Sequence, residues 1–289
     1  MRKMTEYFVR ERDPFPARSE DHPMWATLAL AAVLQPVPAQ GAKLSITNVR
    51  NTYGILGQER KSNELLPGDI FVVSFDIEGL QVKDSGDVEY SMSMELKDSK
   101  DKSQFKKEPQ DLKAFNALGG NKLPAFAMTD IGLDTPPGEY TLTVNVTDRL
   151  SKAKAELVRK FTVAPKKFGI VGLLLTNEAH TMPMPPVGVV GQTLRVNYLA
   201  VGFELTKDKQ QPNLSVEMRV LDDAGKPTFA KPVADTVTTA DDQDTKRYPI
   251  SYLIPLNRKG TYTIALKVTD NIAKKTVEEK LSITVHEQK

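Results

Sequence analysis

Gly138-Glu-Tyr-Thr-Leu-Thr-Val-Asn-Val-Thr-Asp148 returns 122 positions later as Gly260-Thr-Tyr-Thr-Ile-Ala-Leu-Lys-Val-Thr-Asp270. In the first version Tyr140, Leu142, Val144 and Val146 alternate with Thr141, Thr143, Asn145 and Thr147, the period of two that marks a strand with one buried face. The second version keeps Tyr262, Ile264, Leu266 and Val268 on the apolar side, while the polar side drifts to Thr263, Lys267 and Thr269. The match runs without a gap from residues 138–163 onto 260–285, with 10 identities in 26 positions. A period of about 120 residues is several times that of a solenoid unit, so a whole domain is present twice.

Working outward, the same alternation returns in residues 70–77 against 194–201, in 88–96 against 214–220, and in 248–254. Pro67-Gly68 and Val190-Gly191 stand before corresponding strands, and Asp98-Ser-Lys-Asp101 matches Asp222-Asp223-Ala-Gly225 as a tight connection. Each copy should therefore hold about seven strands, and the fold class is all-β, two tandem immunoglobulin-like antiparallel β-sandwiches. Residues 97–113 carry mixed charge and are expected to form a flexible surface loop, with one short helical turn within 111–118. The copies are placed at 43–164 and 165–289, joined by Ala164-Pro165-Lys166-Lys167, a short linker that leaves modest hinge freedom.

Pro136-Pro137-Gly138-Glu139-Tyr140 and Arg258-Lys259-Gly260-Thr261-Tyr262 resemble the tyrosine corner of immunoglobulin-like domains. With the Val-Thr-Asp that follows, they look like the last two strands of bacterial immunoglobulin-like, fibronectin type III or macroglobulin-like modules. The resemblance implies a buried ring whose hydroxyl bonds back to nearby main chain. The cysteine pair and core tryptophan of antibody domains are absent from both copies.

The chain has 39 basic and 37 acidic residues, so no global field draws it to nucleic acid. It has no cysteine, which removes disulfides, thiolate metal sites, a cysteine nucleophile and lipoprotein attachment. Residues 25–34 are uncharged and apolar, and Val37-Pro38-Ala39 follows as a small-residue cut site. Ten residues are too few for a bilayer, which takes about 20, but suit the centre of a signal peptide. Residues 1–42 are thus expected to be a targeting segment, and the mature chain to carry no membrane span. Five basic and five acidic residues within 1–23 are unlike a basic signal start, which makes Met24 an alternative first residue. A buried core helix is the other reading of residues 25–34.

Asp148 and Asp270 recur at the same place, either as ligands or as carboxylates closing a hairpin through main-chain N–H groups, and the second is expected because calcium needs six to eight oxygens. Asp241, Asp242 and Asp244 form the densest acidic cluster and are read as a solvated loop beside Lys246 and Arg247. His180, Met182 and Met184 alternate as soft ligands that suit Cu(I), although Pro183, Pro185 and Pro186 favour a polyproline twist that turns them apart. The first copy has Gln58, Glu59 and Arg60 in that region. A loop whose methionines cover the domain edge is preferred. Tyr53, Tyr198 and Tyr252 are candidate surface platforms for polysaccharide.

Only His180 among the three histidines lies well inside a copy, no Gly-x-Ser-x-Gly turn occurs, and Gly119-Gly120-Asn121 is too short to cradle phosphate. No catalytic, cofactor-binding or metal residue is assigned. The expected protein is non-catalytic and exported to the periplasm, cell surface or medium. It would bind an envelope or surface macromolecule, protein or polysaccharide, in adhesion or scaffolding. The alternative is an extracytoplasmic ligand binder for copper or polysaccharide.

Overall fold

The computed structural model describes residues 43–241 and 246–288. The expected targeting segment with Met24 and its cut site lies outside the described residues, as do Asp242 and Asp244 of the acidic cluster. Every regular element described is a strand, and no helix among the described residues is long and apolar enough to cross a membrane.

The first copy comprises β1 (Ser45–Thr52), β2 (Glu64–Leu65), β3 (Ile70–Glu78), β4 (Asp87–Asp98), β5 (Ser103–Phe115), β6 (Lys122–Asp130), β7 (Gly138–Asp148) and β8 (Lys154–Val163). The second comprises β9 (Gly169–Asn177), β10 (Val187–Val189), β11 (Thr193–Val201), β12 (Leu214–Leu221), β13 (Val233–Val237), β14 (Arg247–Pro255), β15 (Gly260–Asp270) and β16 (Lys275–His286). Each set makes a three-stranded and a five-stranded sheet in the same order, β1-β3-β6 with β2-β8-β7-β4-β5, and β9-β11-β14 with β10-β16-β15-β12-β13. The two bodies are sandwich-like, each with its own apolar core.

The alternating residues form those cores. In the first, Phe71, Val73, Phe75 and Ile77 of β3 meet Tyr140, Leu142, Val144 and Val146 of β7. Phe161 of β8 packs its ring 4.2 Å from that of Phe71 and 5.7 Å from that of Tyr140. The second core sets Leu194, Val196, Tyr198 and Ala200 against Tyr262, Ile264, Leu266 and Val268. Each large side chain so buried contributes about 1.5–3 kcal/mol. The 138–163 match reflects a shared register, Gly138 opposite Val163 and Gly260 opposite Val285.

Each copy has eight strands where seven were expected, and the addition is a short edge strand that runs parallel to its neighbour. Leu65, 1% exposed, needs main-chain partners as it enters the core, and β2 supplies them by pairing with Thr162 and Val163 of β8. A two-residue strand is too short to show a period.

Residues 97–113 are not a flexible loop, and the short turn expected within 111–118 is confined to Ala117 and Leu118, closed by Gly119 N donating to Asn116 O at 3.0 Å. β4 and β5 form a long hairpin that turns at Ser99 and Lys100, and residues 111–115 continue β5. Alternation is weak in β5 because it is an edge strand with neither face fully covered, so its pairing rests on the main-chain ladder and on opposite charges such as Glu95 across from Lys106 and Glu89 across from Lys113. The expected tight connections do form: Asp98 Oδ1 accepts N–H bonds from Lys100 and Lys102, and Asp222 Oδ1 accepts them from Ala224 and Lys226.

The layers are offset. β1 lies against β8, where Arg159 Nη2 donates to Val49 O at 3.2 Å. The strand orders then set β3 over β7 and β6 over β4, and β5 extends past β6 with no described strand above it. At the linker, Ala164 and Phe168 are buried and Ala164 N donates to Leu65 O at 2.8 Å, so the connection is held by the bodies on either side.

Candidate functional site

Asp148 and Asp270 are fully buried, and their carboxylates are occupied by main chain. Asp148 Oδ1 accepts from Leu150 N at 2.8 Å and Ser151 N at 3.3 Å, while Oδ2 accepts from Gln81 N at 2.8 Å. Asp270 repeats this with Ile272 N at 2.8 Å, Ala273 N at 3.0 Å and Glu204 N at 2.8 Å. The expected hairpin turn is present, together with a tie that the sequence does not reveal. Each carboxylate also holds the loop leaving β3 or β11, joining the two sheets of its body. Three N–H dipoles replace water around each charge.

Both tyrosine corners are formed. Tyr140 Oη donates to Pro136 O at 2.9 Å, and Tyr262 Oη lies 3.1 Å from Lys259 O and 3.3 Å from Arg258 O.

The candidate polysaccharide platform is corrected. Tyr198 is 2% exposed and belongs to the second core, because position 198 falls on the inward side of β11. Tyr252 is half-buried on β14, its ring centroid 6.3 Å from that of Tyr198. Burial pushes the Tyr198 phenol upward, and the Tyr252 phenol rises for the same reason. The two hydroxyls influence each other's ionisation, yet neither lies in hydrogen-bonding geometry with a partner.

The loop after β9 holds His180 in a left-handed turn with φ 59°, and Asn177 organises it by accepting N–H bonds from Thr181 at 2.8 Å and Met182 at 3.0 Å. His180 and Met182 are exposed, whereas Met184 packs against the second core. The preferred reading, methionines covering the domain edge, is realised by Met184 alone. Asp241 is exposed, and among the described residues no three histidine, aspartate or glutamate side chains converge as a metal site.

A polar junction is built from the segment that aligns with the His180 loop. Arg60 and Asp69 form a buried ion pair, and Asp69 Oδ1 also accepts from Gly172 N of β9 at 2.9 Å. The Arg60 guanidinium lies 4.4 Å from the centroid of the Tyr53 ring, in cation–π contact. Tyr53 Oη donates to Glu279 Oε2 at 3.4 Å, and Gln58 Oε1 accepts from Ser282 N at 2.8 Å. A cavity of about 280 Å³ opens beside Tyr53 and Glu279. Burial raises the Glu279 carboxyl above its ordinary range, and the Asp69 charge adds to this against the lowering effects of Tyr53 and Arg60. Burial and then the Glu279 charge raise the Tyr53 phenol. Tyr53 is thus a junction residue, and Arg60 and Asp69 carried no local pattern that marked them.

A second concavity, of about 650 Å³, lies at the open side of the first body between β5 and β6, with Leu96, Phe105, Met128, Ile131 and Tyr140 among its lining. Phe105, Phe126 and Met128 are 43%, 40% and 37% exposed there and on the adjoining β6 surface. The surface is an apolar groove flanked by two edge strands. It offers area and main-chain hydrogen bonds, and its lining carboxylates are Asp130 and Asp134, the latter paired with Lys166 at 2.7 Å. No protein-family model matches the chain, and no curated protein matches it.

Proposed function

We propose that this chain is an exported, non-catalytic protein of two tandem immunoglobulin-like sandwiches, 43–164 and 165–289, which binds a partner macromolecule at the cell envelope or surface in adhesion or scaffolding. The observation that carries this reading is the groove between β5 and β6, where large apolar side chains stand exposed beside a sheet edge that no described strand pairs. Contiguous exposed apolar surface of this kind is a signature of interaction sites. The recurring carboxylates of Asp148 and Asp270 are engaged in holding main chain, which fits a framework better than a reaction centre.

The test is affinity capture from the native envelope fraction with the full chain as bait, alongside a hydrolase substrate screen. The expected outcome is a reproducible partner and no turnover. Turnover in the screen with no captured partner overturns the reading.

A further inference from the structure

We propose that the open edge of β6 is a slot for one extended strand of a partner polypeptide, present on the first sandwich and reduced on the second. The proposal rests on the binding reading and names its site and partner chemistry.

The direction of the β6 main chain follows from its ends. Ile131 N donates to Asp69 O at 2.9 Å and Ile131 O accepts from Gly68 N at 2.8 Å, while Asn121 O accepts from Gly79 N at 3.1 Å. Pairing with β3 is unbroken between these points, so odd-numbered residues turn their main-chain groups to β3 and even-numbered ones turn theirs outward. Pro124, Phe126, Met128 and Asp130 therefore face the open edge. Pro124 has no N–H to offer, which leaves a row of three donors on Phe126, Met128 and Asp130, with the carbonyls between them. Donors and acceptors alternating at strand spacing are matched by another extended main chain. Sugars and lipids do not carry that repeat.

The overhang of β5 decides what kind of chain enters. Phe105 and Leu96 form the floor beside β6, so a strand set against β6 would lie above β5 and bury apolar side chains there. A second copy presenting its own β6 would bring its β4 and β5 into the same layer as this β5. The space admits one strand without a second layer, which is a tail or linker of a partner. Lys107 stands two residues beyond Phe105 on the same face, and it pairs with no described residue, whereas Lys106 pairs with Glu108 and Asp111 with Arg149. A carboxylate on the incoming strand completes it.

The second sandwich is an internal control. Register places Pro249 and Pro255 of β14 where β6 has Pro124 and Asp130, and Ser251 where it has Phe126. Thr228, bonded through its N–H to Val220 O at 2.9 Å, takes the place of Phe105 opposite Leu96. One donor and two aromatic rings are thus absent from the duplicate.

The probe is a fluorescein-labelled peptide of alternating valine and threonine with one central glutamate, titrated into the full chain by anisotropy. We expect saturable binding, with amide exchange slowed at Phe126, Met128 and Asp130. The variant Phe105→Thr/Phe126→Ser/Asp130→Pro, which copies the second sandwich and keeps its fold because Pro255 is tolerated at the same register, should bind at least about tenfold more weakly. Lys107→Glu should transfer preference to a lysine-centred peptide. Absence of saturable binding, equal binding by the triple variant, or protection on β14 overturns the proposal. So does a wild-type dimer in sedimentation that the triple variant loses, since that makes a second copy the occupant. Envelope capture with the triple variant separates the two readings: an undiminished partner removes the slot and leaves the binding function standing.

Discussion

Arg60 grips Asp69 through two parallel hydrogen bonds, Nη1 to Oδ2 at 3.0 Å and Nη2 to Oδ1 at 2.9 Å, with the side chains only 7% and 5% exposed. Oδ1 of the same carboxylate receives Gly172 N, so an ion pair within the first body also holds the start of the second. Asp69→Ala leaves a buried guanidinium without its counter-ion and should cost about 3–5 kcal/mol. The double variant Arg60→Met/Asp69→Ala should recover part of that loss. Urea unfolding of the single and double variants checks this, and additive losses would show that the two side chains are not coupled.

Glu279 sets a pH dependence of opposite sign to that of a salt-bridged acid. Its carboxyl is raised chiefly by burial, so the folded chain holds this proton more tightly than the unfolded chain. The stabilising contribution is fully present below the ordinary glutamate range, about pH 4, and is lost as pH rises through the raised value. Glu279→Gln should therefore raise the melting temperature at neutral pH and leave it unchanged in acid, because the amide still accepts from Tyr53. Melting curves at the two pH values decide it, and equal shifts at both would contradict the assignment.

The carboxylates of Asp148 and Asp270 each satisfy three main-chain donors, two in the turn and one on the loop that leaves the opposite sheet. Gln81, Leu150, Ser151 and Glu204 lie at the surface, so water can reach part of what alanine leaves unpaired, and the loss at either position should be about 1–3 kcal/mol. Asparagine should fall between, since it keeps one acceptor oxygen. Native-state hydrogen exchange should show the loss at Gln81 N for Asp148→Ala and at Glu204 N for Asp270→Ala.

The three core tyrosines are not equivalent. Tyr140→Phe should cost about 1 kcal/mol, because its hydroxyl bonds Pro136 O, and Tyr262→Phe should behave alike. Tyr198→Phe should be neutral or stabilising, because its buried hydroxyl finds no hydrogen-bond partner. Denaturation midpoints of the three variants test the contrast, which fails if Tyr198→Phe is the most damaging.

Fold class was legible where one face of a strand is buried and the other is wet. The 138–148 and 260–270 stretches show this most clearly, and Asp148 and Asp270 were read there as hairpin-closing residues with their second tie unseen. β5 departs from the loop expected of residues 97–113 because an overhanging edge strand has no fully covered face to impress on its sequence. The groove was illegible for a related reason. Phe105 and Met128 lie on two strands that share only a position at the open side of the body, and no spacing along the chain encodes that meeting.

Local periodicity and turn chemistry determined from the sequence alone that this chain is all-β and duplicated, because strand alternation and positive-φ turns such as Gly68 and Gly191 are properties of neighbouring residues. The tertiary structure alone decided which polar groups meet and which edge stays open. Asp69 with Gly172, and Asp148 with Gln81, are contacts between distant segments, and the exposure of the β6 edge among the described strands depends on how far one sheet extends past the other. Those quantities come from the packing of sheets, which no window of sequence contains.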